Sequence, residues 1–322
     1  MPRKTVVSLA VLAATASVLI APTAAHAALV TYCVGEGGAV TVPNDLVVPA
    51  GESCALAGTT ITGNVRVAAG ASLVVQNGTI RGEVEIANDG YLDATNTTIS
   101  GGTVLAAGGF GVFIKDSSSG GVTLRPKGSA TVEGFLFVEN STVDGVVNAQ
   151  VGEVRLDRLT RVTGNVSTNG AYYTDVHDSF VDGTLSVLNN STGSVVCGSA
   201  VQGRSTFAGN RGGVQLGPNG SLDGCASGGY FNRDVSITNT TGGVTLDDNI
   251  INGQLQVSGN NPAARVATNN RIRGGVVGDT AAAGAAARSA GGTSRDATGD
   301  DRAAARRDKA TGAADAKGPA DL

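Results

Sequence analysis

The chain contains no tryptophan, one methionine, five tyrosines and seven phenylalanines in 322 residues. Large aromatic side chains dominate broad globular cores, so their scarcity points to a thin, elongated core instead. Charge is also scarce: 16% of residues are charged and the formal net charge is −4. With no basic stripe and no interleaved aromatics, neither nucleic acid nor an anionic membrane surface is an expected partner. The two histidines and four cysteines form no C-x-x-C pair and no Cys–His cluster. No metal site and no cofactor is therefore expected.

Long hydrophobic runs are confined to the start. Arg3 and Lys4 form a positive n-region, Val6 to Ile20 an apolar stretch, and Ala25-His26-Ala27 a small-residue cleavage site. That order predicts a signal peptide over residues 1–27 and a secreted, extracellular chain from about Ala28. The apolar stretch is shorter than the ~20 residues a membrane span needs, and nothing later resembles one.

What the sequence has in abundance is a repeat. The triplet (Ile/Val/Leu)-x-Gly recurs at Ile61, Ile80, Ile99, Val143, Val162, Val181, Val201, Leu222, Ile251 and Ile272, mostly 19 to 21 residues apart. Ser118-Ser119-Gly120 fits as a degenerate copy. Asn77, Asn96, Asn140, Asp178, Asn219, Asp248 and Asn269 stand three residues before the triplet. Val65, Val84, Val147, Val166, Leu185, Leu255 and Val276 stand four after it, opening period-2 runs such as Val65-Arg66-Val67. Alternation marks strand, and the Gly and Asn columns mark turns that need positive φ.

A fixed period near 20 predicts an all-β fold, a parallel β-helix of roughly eleven coils on the order of 50 Å long. A β-sandwich also spaces its strands regularly, but it gives no reason for one residue type to recur at one phase. The expected organisation is a signal peptide at 1–27, an N-terminal cap at 28–58, the β-helix at 59–278 and a disordered tail at 279–322. The tail is Ala, Gly and charge with almost no large apolar residue, a composition that does not order itself. Two coils read as long, Ser118 to Val143 and Leu222 to Ile251, the second carrying Tyr230 and Phe231. Insertions of this kind map to loops, often on a binding face.

In an oxidising compartment four cysteines suggest two disulfides with three connectivities open. Cys33 and Cys54 bracket the first coil and would staple the cap. Cys197 and Cys225 lie at different phases of neighbouring repeats.

The stretch Tyr32-Cys33-Val34-Gly35, then Val47-Val48-Pro49-Ala50-Gly51-Glu52-Ser53-Cys54, leading into Thr59-Thr60-Ile61-Thr62-Gly63, resembles secreted right-handed β-helix repeat proteins of actinobacteria. The resemblance covers about residues 30–278 and implies a Cys33–Cys54 cap, without implying an activity. The stacking is also similar to that of bactofilins, polymer-forming β-helices of the cytoplasm. The signal peptide and the cystine cap set this chain apart from them.

Many polysaccharide lyases and hydrolases are β-helices, so catalysis must be weighed. The triplet's middle residue is Asp at 144, 182 and 223. Same-phase residues two coils apart lie roughly 9.6 Å from each other, the outer limit of an inverting pair. Thr163 and Gln202 interrupt that row, which reads as a solvated edge. In Tyr172-Tyr173-Thr174-Asp175-Val176-His177, an inward Val176 puts Tyr173, Asp175 and His177 on one outer face. Asp175 and His177 are the candidate acid/base pair; Tyr173, Tyr230 and Phe231 are the candidate sugar-binding aromatics. The expected function is a non-enzymatic secreted scaffold, structural or binding cell-wall or extracellular polysaccharide. A carbohydrate-active enzyme working along one face is the alternative. Self-association through open coil ends is a third reading, because unpaired strand edges pair readily.

Overall fold

Each turn of the chain makes three short strands, which gives the molecule three faces. The computed structural model describes residues 29–129, 133–281 and 292–322. The expected signal peptide lies outside them. A two-residue strand such as Thr60–Ile61 belongs to a short face, Val65–Val67 to a middle face and Ser72–Gln76 to a long face. Every strand pairs in parallel with its counterpart one turn away. The long face stacks thirteen strands, hence about twelve turns. The short and middle faces join into one 23-stranded sheet, since Ser118–Leu124 and Thr142–Ala149 run unbroken across the corner between them. The fold is a parallel β-solenoid, as the period required.

The triplet forms the short-face core column. Ile61, Ile80 and Ile99 align with Ser119, Val143, Val162, Val181 and Val201, all buried. The degenerate copy lies one residue later than expected: Ser119, not Ser118, takes the column, and Ser118 pairs with Thr98. The Ser119 hydroxyl lies 3.3 Å from that of Thr103, so two polar side chains satisfy each other inside the core. Asn77, Asn96, Asn140 and Asp178 have φ between 44° and 54°, the left-handed turn expected of them. The triplet glycines have a different cause. A Cβ at Gly82, Gly101 or Gly183 would strike the backbone carbonyl of the same column one turn back. A further column was not foreseen. Two residues before the triplet, Thr97, Ser117, Ser141, Ser179 and Ser199 stack along the axis, with Ser117, Ser141 and Ser199 hydroxyls accepting from a backbone N–H of the turn before.

Three further expectations are corrected. The residues assigned to a cap, 28–58, already form solenoid strands from Val30 onward. Leu222-Asp223-Gly224 is not a triplet in the stack: Val201 aligns with Phe231, and Phe231 with Ile251. The long excursion therefore runs from Val201 to Phe231, and Asp223 leaves the row of Asp144 and Asp182.

The third concerns the tail. Gly292–Lys317 is a helix, α1, not a disordered segment. Alanine and arginine are good helix formers, and Gly318 in the left-handed conformation (φ 77°) ends it. Composition failed because the stripe it buries, among its described side chains, is Gly299, Ala303, Ala310 and Ala314, with no large apolar residue. The helix lies along the long face from Arg155 toward Glu52.

Both cysteine pairs are bridged, Cys33–Cys54 and Cys197–Cys225, with Cα atoms 5.6 and 5.5 Å apart. No helix among the described residues is long and apolar enough to cross a membrane.

Candidate functional site

Alternation in Tyr173–His177 turns Val176 and Thr174 inward and Tyr173, Asp175 and His177 outward on the long face, as expected. That face is not open, however. Tyr173 is 2% and Asp175 3% exposed. The excursion after Leu216 folds over them, pinned by Cys197–Cys225, and Tyr173 packs with Val195, Leu222 and both cysteines. Gln215 points outward and holds this loop: its side-chain oxygen accepts from the N–H groups of Leu222 and Asp223 at 2.9 and 3.0 Å. Its amide donates to the Asp223 carbonyl at 2.9 Å.

The loop brings a partner to the histidine. His177 Nε2 lies 3.8 Å from the Asp223 carboxylate, beside a cleft of about 470 Å³ lined by Asn219, Asp223 and Gly224. Asp223 thus brings to His177 a carboxylate that alternation along the strand did not offer. The two are 46 residues apart, and only the cystine reveals in sequence that the loop returns to this strand. The His177, Cys197 and Cys225 donor atoms lie within 4.8 Å of one another. The two sulfurs are bonded to each other, so they are not metal ligands.

The other half of the long face was missed altogether. Tyr91, Phe113, Phe135 and Phe137 project outward there with Asp93, Glu139 and Arg155, all buried. The helix α1 covers them. Arg302 lies over Phe110 and Phe135 at 4.8 and 5.0 Å, Arg306 over Phe110 at 4.8 Å and Arg307 over Phe113 at 4.9 Å. Arg307 Nε donates to Asp93 at 2.6 Å, and Arg306 donates to the Asp89 carbonyl at 2.7 Å and the Ser72 hydroxyl at 3.1 Å. Arg155 lies 4.2 Å over Phe137 and pairs with Glu139 at 3.2 Å and with Asp300 of α1. Each guanidinium thus meets an aromatic face and, mostly, a carboxylate or carbonyl, the two environments that suit it.

Burial under the helix pushes the Asp93 carboxyl above the usual carboxylate range, with Arg307 pulling against it. It also pushes the Tyr91 phenol far up, beside Asp93, to which its hydroxyl donates at 2.8 Å. Burial draws the Arg302 guanidinium down; at Arg307 burial also lowers, but Asp93, with Tyr91 and Asp308, together outweigh it and raise the group.

The remaining candidates do not gather. Phe231 is a core residue with no exposure, not a sugar platform. Tyr230 is half-buried on the short face, within reach of Asn232 at 3.2 Å and Asn252 at 2.7 Å. Asp144 accepts from Thr163, and Asp182 pairs with Arg161 at 2.8 Å, so that row is a solvated edge. Chemically, among the described residues the long face offers an imidazole facing a carboxylate at 3.8 Å, just beyond hydrogen-bond distance, and an arginine-binding surface filled by the chain itself. Comparison with family models, with curated proteins and with solved structures found no match for this chain.

Proposed function

We propose that the protein is a secreted, non-enzymatic β-helix scaffold that binds an extracellular or cell-wall polysaccharide along its middle face. The observation that carries this reading is where open surface remains. The convergent charged and aromatic groups of the long face lie beneath α1 and the cystine loop. The middle face carries Asn148, Ser167, Ser186, Thr206, Ser236 and Gln256 in successive turns, one per strand. These hydroxyls and amides recur about every 4.8 Å. A polymer with a short regular repeat would meet the same donors and acceptors at each step, so weak contacts add along its length. Two cystines support an oxidising location and, with it, secretion and the actinobacterial β-helix resemblance.

The test is co-sedimentation with insoluble cell-wall and plant polysaccharides, with product release followed in parallel. Binding without turnover, lost in Ser167→Lys/Ser186→Lys/Thr206→Lys, is expected; binding unaffected by those changes sinks the middle-face reading.

One observation favours a second reading, a carbohydrate-active enzyme: the His177–Asp223 pair beside its cleft. Turnover abolished by His177→Ala or Asp223→Asn, with the middle-face variants fully active, would establish it instead.

A further inference from the structure

The two ends of the solenoid are finished differently. At the N-terminal end, residues 318–322 lie against the free edge of Gly35–Gly37. The Glu36 N–H donates to the Gly318 carbonyl at 2.9 Å, and the Glu36 carbonyl accepts from Ala320 N–H at 2.7 Å. Pro319 and Glu36 form a parallel bridge, the same sense as every turn-to-turn pairing in the stack. Ala320 and Leu322 pack onto the end of the core. The core residues nearest that end, Cys33, Val42 and Leu46, have no exposure.

Among the described residues, nothing covers the C-terminal end as residues 318–322 cover the other. Val276 occupies the core column of Leu255 and Ile272 that of Ile251, yet Val276 is 42% exposed and Ile272 half-buried, while Leu255 and Ile251 are fully buried. Of the eleven exposed large apolar side chains among the described residues, six belong to the two end turns: Leu29, Val30, Tyr32 and Val40 at one, Val276 and Val277 at the other. The ends also differ in charge. Residues 29–65 hold Glu36, Asp45 and Glu52 with no Lys or Arg, whereas residues 264–281 hold Arg265, Arg271 and Arg273 against Asp279.

We propose that the protein binds a second copy of itself head to tail, the last turn of one copy stacking on the first turn of the next, and that residues 318–322 are a built-in stopper for this contact. The incoming turn is another repeat of the same unit, so its strand edges and core columns continue the register already used inside the molecule. Apolar core ends meet, and an arginine-bearing turn meets an acidic one. A turn of ~20 residues matches the 20–30 residues a side of a stable interface. Such a contact is heterologous and does not close on itself, so it extends into rods unless blocked. Pro319 holds the edge of Glu36 that Thr280–Ala281 of a preceding copy would take. Assembly therefore requires the stopper to leave, whatever the middle face binds.

The full chain is compared by light scattering and electron microscopy with Ala320→Pro/Leu322→Asp, which removes one hydrogen bond and unplugs the core end. The expected result is a wild type of single mass and a variant whose average mass rises about twofold or more with concentration and falls with salt. Val276→Lys added to the variant returns it to a single mass. The milder Leu322→Ala keeps the backbone bonds and leaves the fold unthreatened; it is expected to shift the same way to a smaller extent. A folded stopper variant and a folded Leu322→Ala protein that both stay monomeric would overturn the proposal. So would assembly that Val276→Lys leaves unchanged.

Discussion

The long and middle faces share one repeat and differ in what they turn outward. Inside, both present aliphatic columns: Leu73, Leu92 and Val112 on the long face, Val65, Val84 and Val147 on the middle one. Outside, the middle face carries Arg66, Glu85 and Val104 in its early turns and then Ser, Thr, Asn and Gln from Thr123 to Gln256, half-exposed or exposed, while the long face carries Tyr91, Phe113, Phe137, Arg155 and Asp175, all buried. The repeat determines the inside of a solenoid because each turn packs on the last. The outside is free to vary, so its chemistry reports what covers it. Large aromatics outward predict a cover, and the long face has two: α1 over one half and the cystine loop over the other.

If the covers bear on stability, the largest effect comes from removing what they sit on. Phe135 and Phe137 stack at 4.4 Å with no exposure beneath α1. Phe137→Ala is expected to cost about 3–5 kcal/mol, read as a lower denaturation midpoint. A loss near zero would mean that α1 does not rest on this face in solution.

The second cover gives the next effect. Replacing Cys197 and Cys225 by serine frees a 28-residue separation and is expected to cost about 3 kcal/mol. It should also uncover Tyr173, seen as increased tyrosine quenching. An unchanged midpoint with unchanged quenching would show that Gln215 alone holds the loop.

Arg307→Ala should cost less, about 2 kcal/mol, because Arg307 is one-third exposed, yet it strands Asp93 at 1% exposure. The sign of its pH dependence is fixed. Burial already holds the Asp93 carboxyl above its ordinary value, and loss of the cation raises it further. Protonation then removes the buried charge, so the deficit of the variant shrinks as pH falls through that raised value. A deficit that grows on acidification would contradict the assignment.

These covers also explain what was legible in the sequence. The triplet column was visible because most turns repeat their inward residue, whereas the degenerate copy was placed one residue early, since no apolar side chain marks Ser119 rather than Ser118 as the inward one. Leu222-Asp223-Gly224 imitated the triplet inside a loop, and Phe231 hid the true one because Asn232-Arg233 follows it in place of x-Gly. Tyr173, Asp175 and His177 were correctly turned outward, but alternation says nothing about a loop that arrives 46 residues later with Asp223. The helix was hardest. Its described buried stripe is glycine and alanine, and its grip comes from arginines whose partners, Asp93 and Phe113, lie about two hundred residues away in sequence.

The smallest effect is expected on the bare face, and it bears most directly on function. Thr206 is half-exposed in the middle of the hydroxyl row. Thr206→Lys removes no core contact, and its long side chain can extend into solvent, so its cost should stay within about 0.5 kcal/mol. Its bulk and charge would nonetheless lift a polymer off the neighbouring Ser186 and Ser236. The two faces then separate cleanly: long-face substitutions lower the denaturation midpoint, while Thr206→Lys leaves it in place and weakens co-sedimentation with polysaccharide. A Thr206→Lys midpoint as depressed as that of Arg307→Ala would mean that the middle face, too, carries a cover.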